Sequence, residues 1–320
     1  NTLLMDNNRM VDNVMGKNKK VLDQSDVNTE GLDLQYNKSD YTAEEIGAAE
    51  ADLKNRISAE GVVLLKNEEE ALPLAENTKF SLFGVNGSKV TVGGGFFGGG
   101  SSLKAIFDEN QVALNEDLWK FYTEGKGKDY GLASGSIGYG DAEDFRINEC
   151  PLSVLESEAG LLDSAEGTVP VFFLKRVAGE GRDMPRSMYN HADSEEDKAK
   201  SYLEPDSTEL ALLEYLNENF EEVVLVVNSN AALELGWVED YESIKSVIYA
   251  PDGLYALPGI LTGKINPSGR TVDTFAADAM ASPAAQNFGD YAYVNEDGTF
   301  TKYNYISYAE GIYVGYKYYE

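Results

Sequence analysis

A mostly parallel α/β sheet with helices on both faces is the fold class this sequence predicts. Three observations predict it: four apolar runs of strand length, segments of helical period among them, and long glycine-rich loops beyond the strand ends. Runs that are apolar at almost every position belong to strands covered on both faces. Strands that alternate with helices return parallel to one another through crossover connections.

The elements follow in order. Residues 1–41 are rich in Asn, Asp and Lys without a sustained period and read as an extended N-terminal arm. Thr42 to Lys66 reads as a helix: Thr42 caps it, Glu45 completes a capping box, and Ile46, Leu53, Ile57 and Val62 recur at helical intervals. Lys79 to Gly84 is the first strand. Gly84 to Asn148 is the least regular part, with glycines in Val92–Ser102, Gly125–Lys128 and Gly131–Gly140 that predict loops around a crevice. Val169 to Arg176 is the second strand. Asp206 to Phe220 is a helix capped by Asp206, with Leu210, Leu213, Tyr215 and Leu216 on one face. Glu222 to Asn228 and Ser246 to Ala250 complete the strands. Tyr303, Tyr305, Tyr308, Tyr313, Tyr316, Tyr318 and Tyr319 crowd the final stretch, where rings of this kind more often form a packed strand or a domain interface than a sugar platform. The sequence shows no internal repeat and no apolar stretch of membrane-spanning length.

Composition narrows the function. With 26 Lys+Arg against 55 Asp+Glu the net charge is −29, which argues against a nucleic-acid partner or an anionic membrane surface. Neutral sugars are indifferent to that charge. One cysteine, Cys150, and one histidine, His191, exclude an internal disulfide framework and argue against a Ser-His-Asp triad or an ordinary zinc site. His191, in a polar stretch, reads as a solvated loop residue. The glycine-rich loop fails as a phosphate cradle: the strand ends at Gly84, the glycines begin at Gly93, and no Lys-Ser/Thr follows Gly100. No cofactor and no metal is implied.

The most informative stretch is Val169-Pro-Val-Phe-Phe-Leu-Lys-Arg176-Val-Ala-Gly179-Glu180-Gly181-Arg-Asp183. Ligands of open α/β sheets bind beyond the carboxyl ends of the strands, and glycines on either side of Glu180 admit a sharp turn and a close ligand. An acid in a glycine turn is by itself a weak signal, since most such residues are solvated.

Arg176-Val-Ala-Gly-Glu180-Gly-Arg-Asp183 resembles the Arg-x-Ser-Gly-Glu-Gly-x-Asp-Arg signature of the α/β-sandwich, or C-terminal, domain of glycoside hydrolase family 3, the β-glucosidases and related exo-acting enzymes. Four further segments agree in order: Glu60-Gly-Val-Val-Leu-Leu-Lys-Asn67 with Leu72-Pro-Leu74, Phe80-Ser-Leu-Phe-Gly84 with Gly98-Gly-Gly-Ser101, Asn266-Pro-Ser-Gly-Arg270, and Tyr308-Ala-Glu-Gly-Ile-Tyr-Val-Gly-Tyr316. Five motifs in one order, from about Ser58 to Glu320, are far more specific than any one of them. There are departures: Met184-Pro185 replaces an Arg, Ala178 replaces Ser, and Leu254 stands where a second Gly is usual.

The resemblance implies a sandwich domain over residues 42–320 and a retaining exo-β-glycosidase acting on β-linked oligosaccharides or glycosides. It makes Glu180 the general acid/base, with Arg176, Asp183, Gly99 and Ser101 binding substrate or supporting the site. The nucleophile of the family is an Asp on a (β/α)8 barrel of roughly 250 residues, which this chain does not supply. The chain is therefore expected to be the acid/base half of an enzyme whose partner is that barrel. Its Asn-Lys-Ser-Asp-Tyr41 run and Pro267-to-Thr274 form are similar to members with swapped domain order, for which an extracytoplasmic or cell-surface location is expected. A homo-oligomer is compatible with this reading. The alternative is a non-catalytic sandwich that binds carbohydrate or braces a partner, with Glu180 a loop acid.

Overall fold

The computed structural model describes residues 41–92, 100–131, 145–176, 184–251, 253–287, 289 and 291–319. Most of the expected N-terminal arm therefore lies outside the described residues. The chain divides into two compact units, residues 1–52 and 53–320.

Helix α1 (Ala43–Gly61) opens as the sequence predicts. The Thr42 hydroxyl accepts the Glu45 N–H at 3.2 Å and the Glu45 carboxylate accepts the Thr42 N–H at 2.7 Å, a complete capping box. Its far end departs from the prediction, which carried the helix on to Lys66. The helix stops at Gly61, and Val63–Asn67 is strand β1. Glycine is a poor helix former, and the Val62-Val-Leu-Leu65 run after it gains more from pairing with a sheet than from one more turn. Asn67 closes that strand: its side chain accepts the Leu72 N–H at 2.8 Å and donates to the Leu72 carbonyl at 3.0 Å.

The remaining elements, in chain order, are β2 (Phe80–Phe83), α2 (Val85–Lys89), β3 (Thr91–Val92), β4 (Ser101–Ser102), α3 (Leu103–Glu109), α4 (Glu116–Thr123), α5 (Leu152–Glu156) and β5 (Val169–Leu174). They continue with α6 (Glu195–Lys198), α7 (Ser207–Asn219), β6 (Val223–Val227), β7 (Ile244–Tyr249), α8 (Leu257–Leu261), α9 (Pro283–Asn287), β8 (Tyr291–Val294) and β9 (Phe300–Tyr305). Helices α3 and α4 fall in the stretch the sequence marked as least regular. Glycine density masked them, but both carry caps: the Ser102 hydroxyl accepts the Ala105 N–H, and Asn115 accepts those of Asp117 and Leu118.

The main sheet has five strands in the order β1-β7-β6-β5-β2. The three pairings from β7 to β2 are parallel, and β1 joins antiparallel at the β7 edge. This is the mostly parallel α/β sheet that the sequence predicts. The outer edge of β2 is covered, because Phe80 donates to the Ala113 carbonyl and accepts from the Asn115 N–H.

Alternate residues of each strand feed two cores. Phe80, Leu82, Val171, Phe173, Val224, Val226 and Ile248 face α3 and α8. Phe83, Phe172, Leu174, Val223, Leu225 and Val227 face α4, α5 and α7. In α7, Leu212, Leu213 and Leu216 are fully buried, each stabilising the fold by about 1.5–3 kcal/mol relative to an exposed position. Gly269, in the Asn266–Arg270 segment, approaches the turn between α1 and β1 closely. A Cβ there would lie 2.6 Å from the carbonyl oxygens of both Gly61 and Val62, while its own N–H donates to Val62.

Candidate active site

The carboxyl ends of β2, β5, β6 and β7 meet along one edge of the sheet. Parallel strands present their C-terminal loops on the same side, so this edge is where a ligand crevice forms. At β2 the chain turns at Gly84 (φ 82°), where a Cβ would meet the Phe173 carbonyl at 3.2 Å. At β6, Asn228 donates to the carbonyls of Ala250 and Pro251 at 2.8 and 2.9 Å, which binds the ends of β6 and β7 together.

Strand β5 ends at Leu174, and Lys175 and Arg176 lead to the Glu180 stretch. Glu180, Asp183 and Gly99 themselves lie outside the described residues. Arg176 is buried, and each of its five N–H groups has an acceptor. Nη1 reaches Glu209 Oε1 at 2.9 Å and Nη2 reaches Oε2 at 2.8 Å; Nε donates to the Tyr202 carbonyl, Nη1 also to that of Lys175, and Nη2 to that of Glu204. The ion pair is 1% and 0% exposed at its two side chains. With its five donors filled, Arg176 has no N–H left for a sugar hydroxyl.

Glu209 was not among the residues singled out from the sequence. It serves twice, since its carboxylate also accepts the Asp206 N–H at 3.0 Å, and the Asp206 side chain accepts the Glu209 N–H at 2.8 Å. The start of α7 is thus built into the same cluster as the end of β5. Burial, then the neighbouring Glu209 charge, pushes the Asp206 carboxyl up to about 7.

A third buried acid, Glu149, had no sequence signal beyond its place beside Cys150. Both of its oxygens accept the Val85 N–H, at 2.9 and 3.1 Å, and one accepts the Cys150 N–H at 2.8 Å. Burial pushes this carboxyl up to about 8 against the pull of those N–H groups, and Glu149 in turn adds to the burial that pushes Cys150 up to about 12.

Ser101, the other predicted residue within the described set, is half-buried on β4 and pairs with Val92 of β3. His191 is half-buried rather than solvated, its ring edge-on to Phe145 at 5.2 Å. Among the described residues no group of His, Cys, Asp and Glu could hold a metal ion, and no helix is long and apolar enough to cross a membrane.

Comparison with known proteins places this architecture. A sequence model of the glycosyl hydrolase family 3 C-terminal domain matches residues 62–316. β-Glucosidase A of Butyrivibrio fibrisolvens is 28% identical over 289 residues, which cover 84% of this chain and 32% of that protein. A β-glucosidase of Ruminococcus albus is 30% identical over 82% of this chain and 26% of its own length. The chain thus spans about a third of the length of the curated relatives it matches. Among solved structures, β-glucosidase 3B from Thermotoga neapolitana in complex with α-D-glucose superposes at a TM-score of 0.61 with 26% identity, covering 87% of this chain and 37% of that one. A β-glucosidase from Paenibacillus barengoltzii gives a TM-score of 0.63 with 25% identity, over 84% of this chain and 28% of that one.

Proposed function

This chain belongs to glycosyl hydrolase family 3, and on that premise we propose that its sandwich is the acid/base-bearing half of a retaining exo-β-glycosidase. Glu180 is the acid/base, and an Asp on a (β/α)8 barrel domain is the nucleophile. The observation that supports this most directly is the root of the Glu180 stretch: β5 ends at the ligand edge of the sheet, and Arg176, four residues before Glu180, is fixed there by Glu209.

The chemistry needs two carboxyl groups about 5–5.5 Å apart. Glu180, protonated, gives its proton to the glycosidic oxygen as the Asp attacks the anomeric carbon, so the C–O bond breaks as a covalent glycosyl-enzyme forms. Glu180, now ionised, takes a proton from water, which displaces the Asp, and the sugar leaves with its β configuration retained. Asp183, Gly99 and Ser101 line or support the sugar site. The relatives' names point to β-glucosides as substrates.

Hydrolysis of aryl β-glycosides by the 320-residue chain, compared with the enzyme assembled with its barrel, tests the two-half arrangement. The chain alone is expected to show no turnover above a faint residue. Turnover within a few-fold of the assembled enzyme would refute the arrangement.

A further inference from the structure

In a chain with 55 acids, the first two residues after each of β2, β5, β6 and β7 include no acid at all. They do include two cations, Lys175 and Arg176. Arg176 turns to the α7 side of the sheet and is fully paired there. Lys175, one position earlier, takes the opposite side, that of Phe173, because successive side chains of an extended strand alternate. It is half-buried, and among the described residues its ammonium has neither an acid partner nor a hydrogen-bond acceptor. Burial, with no acid to offset it, pushes that ammonium below the ordinary lysine range.

The neighbours of Lys175 do not supply the missing acceptor. Leu174 pairs with Val227, so Asn228, the next position of β6, flanks Lys175, and both amide hydrogens of Asn228 are spent on the carbonyls of Ala250 and Pro251. From the β2 side, α2 packs on the same face: a Cβ on Gly87 would stand 2.7 Å from the Phe173 ring. Asn86, next to Gly87, is 3% exposed, and its Nδ2 has no acceptor. A buried amide without an acceptor and a half-buried ammonium without an acid are both costly. One thing relieves both costs, an oxygen acceptor that carries negative charge.

Resting on the reading above, we propose that Lys175, together with Asn86 of the adjoining α2, is the binding site for a carboxylate carried by the glycoside, on a uronic acid sugar or on an acidic leaving group. A neutral sugar hydroxyl would give the ammonium an acceptor but leave its charge unbalanced. A doubly charged phosphate would exceed it, since Arg176 is already filled and the chain's net charge of −29 opposes a second negative charge. One unpaired ammonium matches one carboxylate.

Calorimetric titration of the assembled enzyme with three thioglycosides, whose sulfur linkage resists hydrolysis, tests this. The neutral probe is phenyl thio-β-D-glucoside. Phenyl thio-β-D-glucuronide places the acid on the sugar, and para-carboxyphenyl thio-β-D-glucoside places it on the leaving side. One of the acid-bearing probes is expected to bind about tenfold more tightly than the neutral one, the worth of a charge-assisted hydrogen bond, and which one does so locates the carboxylate. Lys175→Gln should abolish that preference, Lys175→Arg should keep it, and both should hold the neutral probe within about twofold of the parent. Because the charge lost in Lys175→Gln has no partner in the chain, the variant should melt no lower than the parent. Tightest binding of the neutral probe, equal losses for all three probes in Lys175→Gln, or a marked fall in its melting temperature would each overturn the proposal. Binding of the thioglycosides needs no chemistry at Glu180: a Lys175-dependent acid preference in an enzyme that does not hydrolyse β-glycosides would reject the functional reading and keep the site, whereas hydrolysis without the preference would do the reverse.

Discussion

Arg176 and Glu209 form a bidentate ion pair with contacts of 2.9 and 2.8 Å, closed off from solvent just past the end of the inner strand β5. The pair joins the last residues of β5 to the first turn of α7, 33 positions later in the chain. A buried pair of this kind adds little net stability over an apolar one. Breaking it is costly, because the remaining charge is stranded without water.

Replacing Glu209 by Ala is therefore expected to destabilise the chain by about 3–5 kcal/mol, measured by urea denaturation. Arg176→Lys keeps the charge but loses the planar fork and two of the five N–H donors, so it should also destabilise, by a smaller amount. A loss under 1 kcal/mol in Glu209→Ala would mean that the cluster does not hold the strand end.

Glu149 gives a pH dependence whose sign is fixed. Its folded value, about 8, lies above the ordinary 4.5, so the folded protein holds a proton that the unfolded chain releases. The associated stability is fully present below pH 4.5 and is lost as pH rises towards 8, by an amount on the order of a few kcal/mol. Asp206, raised to about 7, acts in the same direction. Glu149→Gln removes the titration, so the stability of the variant relative to the parent should rise steadily from pH 5 to pH 9. Parallel stability curves across that range would contradict the burial argument.

Gly269→Ala should destabilise by about 1–3 kcal/mol, because its new methyl would overlap two backbone carbonyls that cannot rotate away. Gly61→Ala, where the added methyl meets nothing, is the matched control and should change stability by less than about 0.5 kcal/mol. Equal thermal shifts for the two would remove the packing explanation for the Asn266–Arg270 segment.

The sheet was readable in the sequence because β2, β5, β6 and β7 are buried on both faces, and double burial leaves runs such as Val169–Leu174 apolar throughout. Strand β1 was misread as helix since four apolar residues after a capped helix fit either period, and only the pairing with β7 decides between them. Helices α3 and α4 carried legible caps that the surrounding glycines obscured. The site was legible in one half only. Arg176 stood in a recognisable motif, whereas Glu209 carried no signal of its own, because its partner lies far away in sequence. Glu149 became visible only when folding placed it against the Val85 N–H.

The central claim, that Glu180 is the acid/base, is tested most directly by leaving-group dependence in the assembled enzyme carrying Glu180→Ala. Protonation matters only when the leaving oxygen departs badly, so glycosides with poor leaving groups should slow by about 10² to 10⁴, and activated aryl glycosides far less. Azide should partly restore turnover of the activated substrates and yield a β-glycosyl azide, since it attacks the glycosyl-enzyme without help from a base. Equal slowing of all substrates with no response to azide would contradict the claim and leave Glu180 a binding or structural residue.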